Sequence, residues 1–300
     1  MSVTPGIAKT SVAGSIGRVI KLGISVGCFA LDSGGSALWR LLGREKSGTG
    51  VVLYYHAVPD RYRSEFESQM QLVSRLARPV ALSDLNHLPA GTHSVAVTFD
   101  DALSSVVENA VPVLARLGIP ATIFAVTESL GTIPAWGKTY YAPDERVMTE
   151  EQLRGLPNLI SVGSHSLTHP DLATVSEETA AREIRGSREE LERLLQRPIT
   201  LFGFPYGSHD STAVRICREA GYERVFTTLP STIHGDATEF VIGRVAADPW
   251  DWALEFRMKM QGAYSWTRHV TAAKQALRRF FFTTRNQSSE SATLAPRPLR

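Results

Sequence analysis

Hydrophobic and polar positions divide the chain into short apolar runs and amphipathic segments, which alternate from residue 51 onward. The runs are rich in β-branched and aromatic residues, as strands are, and the segments between them have the periodicity of amphipathic helices. The predicted strands are Val51–Tyr55, Val95–Phe99, Thr122–Val126, Ser161–Gly163, Thr200–Phe204, Val225–Thr228 and Phe240–Val245. The predicted helices are Glu65–Leu76, Val106–Leu117, Glu177–Leu195 and Thr212–Ala220. Strands that alternate with helices predict a parallel sheet, and seven of them favour a barrel.

Composition narrows the class of protein without changing this picture. Of the 300 residues, 43% are hydrophobic and 21% charged, which is typical of a soluble globular chain and excludes disordered, collagen-like and coiled-coil proteins. The two cysteines, Cys28 and Cys217, are too few for a disulfide scaffold or for a zinc site built from thiolates.

Charge is distributed unevenly along the chain. Residues 1–50 contain six Lys or Arg and two Asp or Glu, residues 262–300 contain seven and one, and residues 51–261 contain 19 and 27. A nucleic-acid-binding domain would carry positive charge on its folded part, so this distribution argues against that class. The basic arms have two interpretations: solvated tails, or segments in contact with an anionic membrane surface.

The N-terminal arm includes an apolar stretch, Val19–Leu31, of 13 residues. Because it contains Lys21 and a bilayer requires about 20 apolar residues, it is too short and too polar to span a membrane. The following Asp32-Ser33-Gly34 makes a poor signal-peptidase site. We therefore expect no transmembrane helix, no cleaved signal and a cytoplasmic location.

Two adjacent carboxylates, Asp100 and Asp101, follow the predicted strand Val95–Phe99. The carboxyl ends of barrel strands are where α/β barrels place their active sites. A nearby cation would relieve the repulsion between the two acids, so that one binds the metal while the other stays free as a base. Taken alone, such a pair is more often the N-cap of a helix.

Two histidines, His165 and His169, follow the predicted strand Ser161–Gly163. Their spacing lets both rings reach one ion if the turn between them is helical. The motif HExxH is excluded, because no Glu follows the first histidine and Pro170 comes directly after the second. A pair at ligand spacing, close to the two aspartates in the predicted sheet, favours a metal site.

Three further segments are candidates for function. Phe204-Pro205-Tyr206-Gly207 predicts a tight loop whose backbone N–H groups could face an oxyanion, although an ordinary turn fits equally well. His56 ends the first strand, where a lone histidine is usually structural. The aromatic-rich stretch 131–150 has no strand pattern, and long insertions of this kind are usually functional or mobile.

Together these residues resemble the polysaccharide deacetylases of carbohydrate esterase family 4, the NodB-homology domain. The resemblance covers about residues 50–260 and rests on TFDD at 98–101, HSLTH at 165–169 and FPYG at 204–207, in the family's order. It implies an α/β fold, a distorted (β/α)7 TIM-like barrel of the glycoside hydrolase–deacetylase type. We accordingly divide the chain into an N-terminal basic and apolar extension (1–49), the deacetylase domain (50–262), and a basic C-terminal helix with a disordered tail (263–300).

The resemblance also implies roles for individual residues. Asp100 would be the general base, Asp101, His165 and His169 would bind a divalent metal, and Tyr206 would offer its backbone N–H to the oxyanion. Zinc is the default ion for such ligands, and cobalt, nickel, manganese or iron can take its place. Pro205, Trp136 and Trp250 are candidates for substrate binding. For Trp250 and Trp252, stacking on sugar rings and filling the core are both open, and the core is slightly favoured.

The sequence departs from the family pattern in three places. Gly203 stands where the third motif usually has an Arg that orients the base. The fourth motif matches only loosely, at 248–252 (DPWDW). The fifth motif, Leu-x-x-His, which supplies the general acid, is not found after residue 252 but is present as Leu53-Tyr54-Tyr55-His56. Some family members are circularly permuted in this way, so His56 is the candidate acid, and His209 is its competitor.

These observations predict a hydrolase that removes acetyl groups from an N-acetylated, or O-acetylated, saccharide and releases acetate. The predicted partner is therefore an oligo- or polysaccharide. The alternatives are a metal-dependent amidohydrolase that acts on a small non-sugar amide, and an inactive carbohydrate-binding homologue.

Overall fold

A curled sheet of mostly parallel strands forms the centre of the molecule, and helices pack on its outside. The computed structural model describes residues 12–41, 47–136, 144–235 and 238–273. The strands are β1 (Thr49–Tyr55), β2 (Arg78–Pro79), β3 (His93–Phe99), β4 (Ala121–Ala125), β5 (Ile160–Ser164), β6 (Leu201–Gly203), β7 (Arg224–Thr227), β8 (Ile233–His234), β9 (Val241–Gly243) and β10 (Val245–Ala246). The helices are α1 (Val12–Leu41), α2 (Arg63–Leu76), α3 (Val111–Leu117), α4 (Glu150–Arg154), α5 (Glu177–Leu195), α6 (Ser211–Glu219) and α7 (Ala253–Met260).

The sheet closes on itself through one short segment. Its strand order is β10-β1-β3-β4-β5-β6-β7-β9, and each neighbouring pair is parallel. The two ends of this order, β9 and β10, are consecutive in sequence and separated by Arg244 alone. The segment Val241–Ala246 therefore pairs with β7 on one side and with β1 on the other, which makes a barrel of seven strand positions.

Two apolar cores follow from the alternation of side chains along these strands. Residues such as Val52, Phe124 and Phe226 form one cluster, which fills the inside of the barrel. The larger cluster contains the alternate strand residues, Val51 and Leu53 among them, together with apolar residues of the helices. The inner core leaves the carboxyl ends of the strands to polar side chains, and these ends carry the candidate site.

The structure confirms the predicted barrel and all seven predicted strands. Helix α5 has the predicted bounds, because the Ser176 hydroxyl caps its first turn by accepting the Thr179 N–H, and the chain leaves it at Gln196 in a left-handed conformation. The predicted helix Val106–Leu117 begins as a π-helical turn before α3. The short elements β2, β8, α4 and α7 were not predicted, and the predicted tail beyond residue 273 lies outside the described residues.

The N-terminal extension contains a long helix, α1, that the sequence pattern did not predict. Its Leu22 and Phe29 pack against the outer core, and the buried hydroxyl of Ser25 accepts the indole N–H of Trp266 at 3.0 Å. Near its start, Arg18 donates to the Glu255 carboxylate of α7 at 2.6 Å. Among the described residues, no helix is both long and apolar enough to cross a membrane.

Candidate active site

Three predicted metal ligands converge at the carboxyl ends of β3 and β5. Asp101 Oδ1 lies 3.6 Å from His165 Nε2 and 3.3 Å from His169 Nε2. One potential ligand atom from each residue lies within 4.8 Å of the others, and all three side chains are buried. Residues that are 64 or more positions apart in sequence are thus brought to one point by neighbouring strands.

His165 is held in the orientation that a metal ligand requires. Its Nδ1 lies 2.7 Å from the Gly203 carbonyl oxygen, so this nitrogen donates a proton and Nε2 keeps its lone pair toward Asp101. Burial lowers the pKa of His165 to about 4, and the opposing charges of Asp100 and Asp101 only partly offset this effect. The ring is therefore neutral near pH 7, as ligation demands.

The side chains at this point fit a divalent cation. Asp101 Oδ1 and His169 Nδ1 are buried polar atoms without a hydrogen-bond partner, which is costly unless something else compensates them. Burial alone would raise the pKa of Asp101, but the facing His169, His56 and His165 rings hold it well below its usual range. One carboxylate and two imidazoles are a common ligand set for zinc and related ions.

The turn between the two histidines is not helical, so that part of the sequence prediction is wrong. Ser166 and His169 adopt left-handed backbone conformations, with φ of 72° and 65°. The hydroxyl of Ser166 accepts the His169 N–H at 3.0 Å, which closes the turn. Both rings reach the same point because of this strained loop rather than because of helical periodicity.

Glu183, on α5, supports this loop, and the sequence did not identify it. Its buried carboxylate accepts the backbone N–H groups of Leu167 at 3.0 Å and Thr168 at 2.9 Å, and the Thr168 hydroxyl at 2.8 Å. A buried acid in the middle of an amphipathic helix was the signal that could have found it. Since Glu183 fixes the segment between the two histidines, it positions them indirectly.

Asp100 is bound by a buried guanidinium from the segment that closes the barrel. Arg244 donates from Nη1 to Asp100 Oδ1 at 2.6 Å and from Nη2 to Oδ2 at 2.8 Å, and it has no exposed surface. Its Nη1 also donates to Thr98 Oγ1 at 3.1 Å, and its guanidinium lies 4.9 Å from the centre of the Tyr54 ring. Burial alone would raise the pKa of Asp100, but Arg244 holds it below its ordinary value, so the carboxylate stays ionised.

Arg244 takes the place that the family pattern assigns to an arginine at position 203. A Cβ at Gly203 would lie 3.1 Å from His165 Nδ1 and 3.1 Å from the Phe124 ring, so the backbone there leaves no room for a side chain. The orienting arginine therefore comes from a different strand. The signal in the sequence was a single charge inside an otherwise apolar run, 240–247 (FVIGRVAA).

His56 faces the carboxylates of the site, whereas His209 is held by the loop behind Tyr206. The charge of His56 contributes to lowering the pKa values of Asp100 and Asp101. It also opposes the effect of burial, which raises the pKa of Asp248 in the DPWDW segment. His209 stacks on Phe204 with ring centres 5.0 Å apart, and its Nδ1 lies 3.2 Å from the Gly207 carbonyl oxygen.

Aromatic side chains surround His169. The Trp136 ring stacks on it with centres 4.3 Å apart and planes 10° from parallel, and the buried indole N–H has no hydrogen-bond partner. Tyr206 meets the same ring edge-on at 4.6 Å, and its φ of 58° places it in the left-handed region. Pro205 begins this short 3-10 turn and is buried. Trp136 thus lies at the candidate metal site, as a substrate-binding residue would.

Trp250 and Trp252 do not fill the core, so the slight preference for the core is wrong. They are 40% and 45% exposed. Trp250 lies against Tyr62 with ring centres 5.3 Å apart, and Trp252 lies under the Arg18 guanidinium at 4.3 Å. Both are surface residues beside α1.

Comparisons with known proteins agree with this site. A family model described as "Polysaccharide deacetylase" matches residues 87–225. "Putative polysaccharide deacetylase YxkH" of Bacillus subtilis (strain 168) is 23% identical over 217 residues, which cover 68% of this chain and 74% of that protein. A "Poly-beta-1,6-N-acetyl-D-glucosamine N-deacetylase" of Staphylococcus aureus (strain MSSA476) is 24% identical over 197 residues, or 61% of this chain and 66% of that protein.

A solved structure has the same fold. IcaB from Ammonifex degensii superimposes with a TM-score of 0.61 at 24% identity, over 72% of this chain and 98% of that one. At this identity the likeness shows the fold alone, and it confirms the predicted barrel.

Proposed function

Since residues 87–225 place this chain in the polysaccharide deacetylase family, we propose that it is a metal-dependent hydrolase that cleaves N-acetyl groups from a saccharide. The observation that carries this proposal is the position of Asp100, paired with Arg244, directly beside the cluster of Asp101, His165 and His169. A base that stays ionised next to a divalent-ion site is the arrangement that amide hydrolysis by water requires.

Asp101, His165 and His169 would hold the metal. When bound there, a divalent ion polarises the acetyl carbonyl group and makes a neighbouring water more acidic. Zinc, cobalt, nickel, manganese and iron all suit these ligands. Glu183 and the Gly203 carbonyl keep the two imidazoles in place, since one fixes the histidine loop and the other fixes the ring of His165.

Asp100 acts as the general base. It takes a proton from the water whose oxygen forms a bond to the acetyl carbon. Arg244 keeps the carboxylate ionised and in a single orientation through two hydrogen bonds, which a lysine could not do with one ammonium group.

Tyr206 and His56 complete the reaction. The backbone N–H of Tyr206 stabilises the tetrahedral oxyanion, and loss of one such donor costs about 3–4 kcal/mol in other hydrolases. His56 gives a proton to the amine as the carbon–nitrogen bond breaks, so acetate and a free amino sugar leave. We assign this role to His56 rather than His209 because His56 faces Asp100, Asp101 and Asp248, which favour its protonated form.

The substrate we propose is a polymer or oligomer that contains N-acetylglucosamine. The name of the Staphylococcus aureus relative supports this class of substrate. The Trp136 and Tyr206 rings beside His169 offer flat apolar surfaces on which a sugar ring can stack.

The test is release of acetate from N-acetylglucosamine oligomers by the purified protein, after metal removal and after addition of zinc or cobalt. Asp100→Asn should lower the rate by about 100-fold or more, because it removes the base and keeps the shape of the side chain. The matched control is Asp84→Asn, an exposed residue of the 3-10 turn Leu82–Asn86, which should keep the wild-type rate.

Metal-dependent release that is lost in Asp100→Asn alone would support the proposal. Release from small formyl or cyclic amides, with none from saccharides, would replace it with the small-amide activity. If metal binds but neither class is hydrolysed, a carbohydrate-binding role would replace both.

A further inference from the structure

Exposed large apolar side chains are concentrated on one flank of the molecule. Within the described ranges there are twelve, and ten of them lie on α1 or in the segments beside it. Those on α1 are Ile16, Val19, Ile20, Ile24, Val26 and Leu31, and those beside it are Trp250, Trp252, Leu254 and Val270. Soluble proteins rarely expose so many apolar side chains together unless the surface binds something. We call these ten residues the α1 flank.

Helix α1 is apolar on the face that points away from the barrel. Ile16, Ile20 and Ile24 recur every four residues, and Gly23 and Gly27 lie between them on the same face. The inward face carries Arg18 and Ser25, which bind Glu255 and Trp266, so the polar contacts of the helix are made with the protein. The helix thus covers the barrel with one face and leaves the opposite one uncovered by any described residue.

Helix α1 extends along the side of the barrel, from the end that carries the candidate site to the opposite end. Gly17 and Lys21 line a cavity together with Tyr54 and Thr228, which lie at carboxyl ends of strands. Cys28, Phe29 and Asp32 line another cavity together with Thr49 and His93, which begin β1 and β3. The α1 flank is therefore as long as the barrel, and Trp250 and Trp252 lie at the end nearest the site.

Basic residues border this flank. Lys21, Arg257 and Arg268 are exposed at its edge. The described chain ends at Ala273, three residues after Val270, and the sequence then continues with Leu-Arg-Arg-Phe-Phe-Phe at 277–282. Arginines next to aromatic residues are typical of segments that enter the interface of an anionic bilayer.

We propose that the α1 flank docks on the surface of an anionic lipid bilayer, with α1 lying in the plane of the headgroups. Its isoleucines and leucine enter the boundary between headgroups and acyl chains, and the basic residues at its edge contact lipid phosphates. Residues 51–261, with 27 acidic and 19 basic residues, are repelled by the same surface, so the protein binds in one orientation. The end of the barrel that carries Trp250 and Trp252 then opens beside the membrane. This proposal does not depend on the reaction that the site performs.

The experiment is flotation of the full-length protein with vesicles of phosphatidylcholine that contain phosphatidylglycerol, and with vesicles of phosphatidylcholine alone. The wild type should float with the anionic vesicles, float at least tenfold less with the neutral ones, and be released by high salt. The double variant Ile20→Glu/Ile24→Glu should lose flotation, because it places two charges in the lipid-facing surface. Leu76→Glu, at an exposed leucine of α2, is the matched control and should still float.

Two further measurements decide the outcome. Thermal unfolding should be within a few degrees of the wild type for all variants, since Ile20 and Ile24 point away from the barrel; a double variant that unfolds is replaced by Ile16→Ser/Leu31→Ser. Analytical ultracentrifugation gives the mass in solution. A stable dimer that Ile20→Glu/Ile24→Glu dissociates, without flotation of the wild type, would show that a second copy covers the flank. Equal flotation of the wild type and the double variant would also overturn the proposal.

Discussion

Two buried clusters of carboxylates and cations lie on opposite sides of the DPWDW segment, and burial affects them differently. In the barrel, Asp100 has Arg244 as a bidentate partner, and its pKa is below the ordinary value. Against α1 and α7, Asp251 accepts from Lys259 Nζ with both oxygens at 2.7 Å, yet its pKa is raised to about 6. An ion pair alone therefore does not decide whether a buried acid stays ionised.

The difference lies in the number of acids that each cation serves. Lys259 lies between Asp251 and Glu255, with Asp248 close by, so burial and acid–acid repulsion outweigh its attraction for any one of them. Arg244 binds both oxygens of a single carboxylate, and a hydroxyl accepts from its remaining N–H. The first cluster suits a base that must be ionised, and the second can take up a proton close to neutral pH.

The largest effect should come from Arg244→Ala. The substitution leaves the Asp100 carboxylate buried without a counter-charge, which typically costs about 3–5 kcal/mol in the free energy of unfolding. Urea denaturation measures this loss, and acetate release should fall with it. Arg244→Lys should restore part of the stability and less of the rate, because it supplies charge without two parallel hydrogen bonds. Wild-type stability in Arg244→Ala would contradict the comparison.

Asp251→Asn should reveal the opposite pH dependence. The pKa of Asp251 is about 6 in the folded state against an ordinary 3.8, so the folded protein holds this proton more tightly and loses stability as pH rises between these values. The variant cannot titrate there. Its unfolding free energy minus that of the wild type should therefore rise by on the order of 2–3 kcal/mol between about pH 4 and pH 7.

Asp100→Asn tests the sign of that effect. The pKa of Asp100 is lowered in the folded state, so its ionised form stabilises the fold above the ordinary pKa, and this contribution is lost as pH falls. The unfolding free energy of the variant minus that of the wild type should therefore fall as pH rises. Chemical denaturation across the pH series gives both slopes, and slopes of equal sign would refute the distinction between the clusters.

The smallest effect should come from Arg18→Ala. Arg18 is partly exposed and donates to the buried Glu255, and hydrogen bonds to charged groups contribute about 1.5–3 kcal/mol when fully buried, so we expect a loss of about 1–2 kcal/mol. Arg185→Ala removes an exposed pair with Glu219 and is the control, with an expected change under about 0.5 kcal/mol in urea denaturation. Equal effects of the two substitutions would show that α1 adds nothing to the α7 cluster.

The sequence predicted the part of the site that local motifs carry. Asp101, His165 and His169 follow two strands that pair directly, because β3 adjoins β4 and β4 adjoins β5. Once the parallel sheet was predicted, their convergence followed from the geometry of parallel strands. The conformation of the histidine turn did not follow, since it depends on Glu183 of a later helix.

Arg244 and α1 escaped prediction for different physical reasons. The family's motif places the orienting arginine at position 203, and only the packing of His165 and Phe124 around Gly203 shows why it cannot be there. Helix α1 contains glycines at 17, 23, 27, 34 and 35, each of which costs about 1 kcal/mol relative to alanine in a helix. Its stability comes from docking on the barrel and α7, which a local pattern does not record.

The segment Val241–Ala246 joins the open edges of the sheet and also brings Arg244 to Asp100, so architecture and chemistry are completed by one event. On the ribosome, Asp100 emerges 144 residues before Arg244. Until then the acid has no counter-charge, and a nascent chain that buried it early would be penalised. Completion of the barrel therefore acts as a timer: the chain acquires a competent base only when its last strand is in place, and fragments that end before it remain inert.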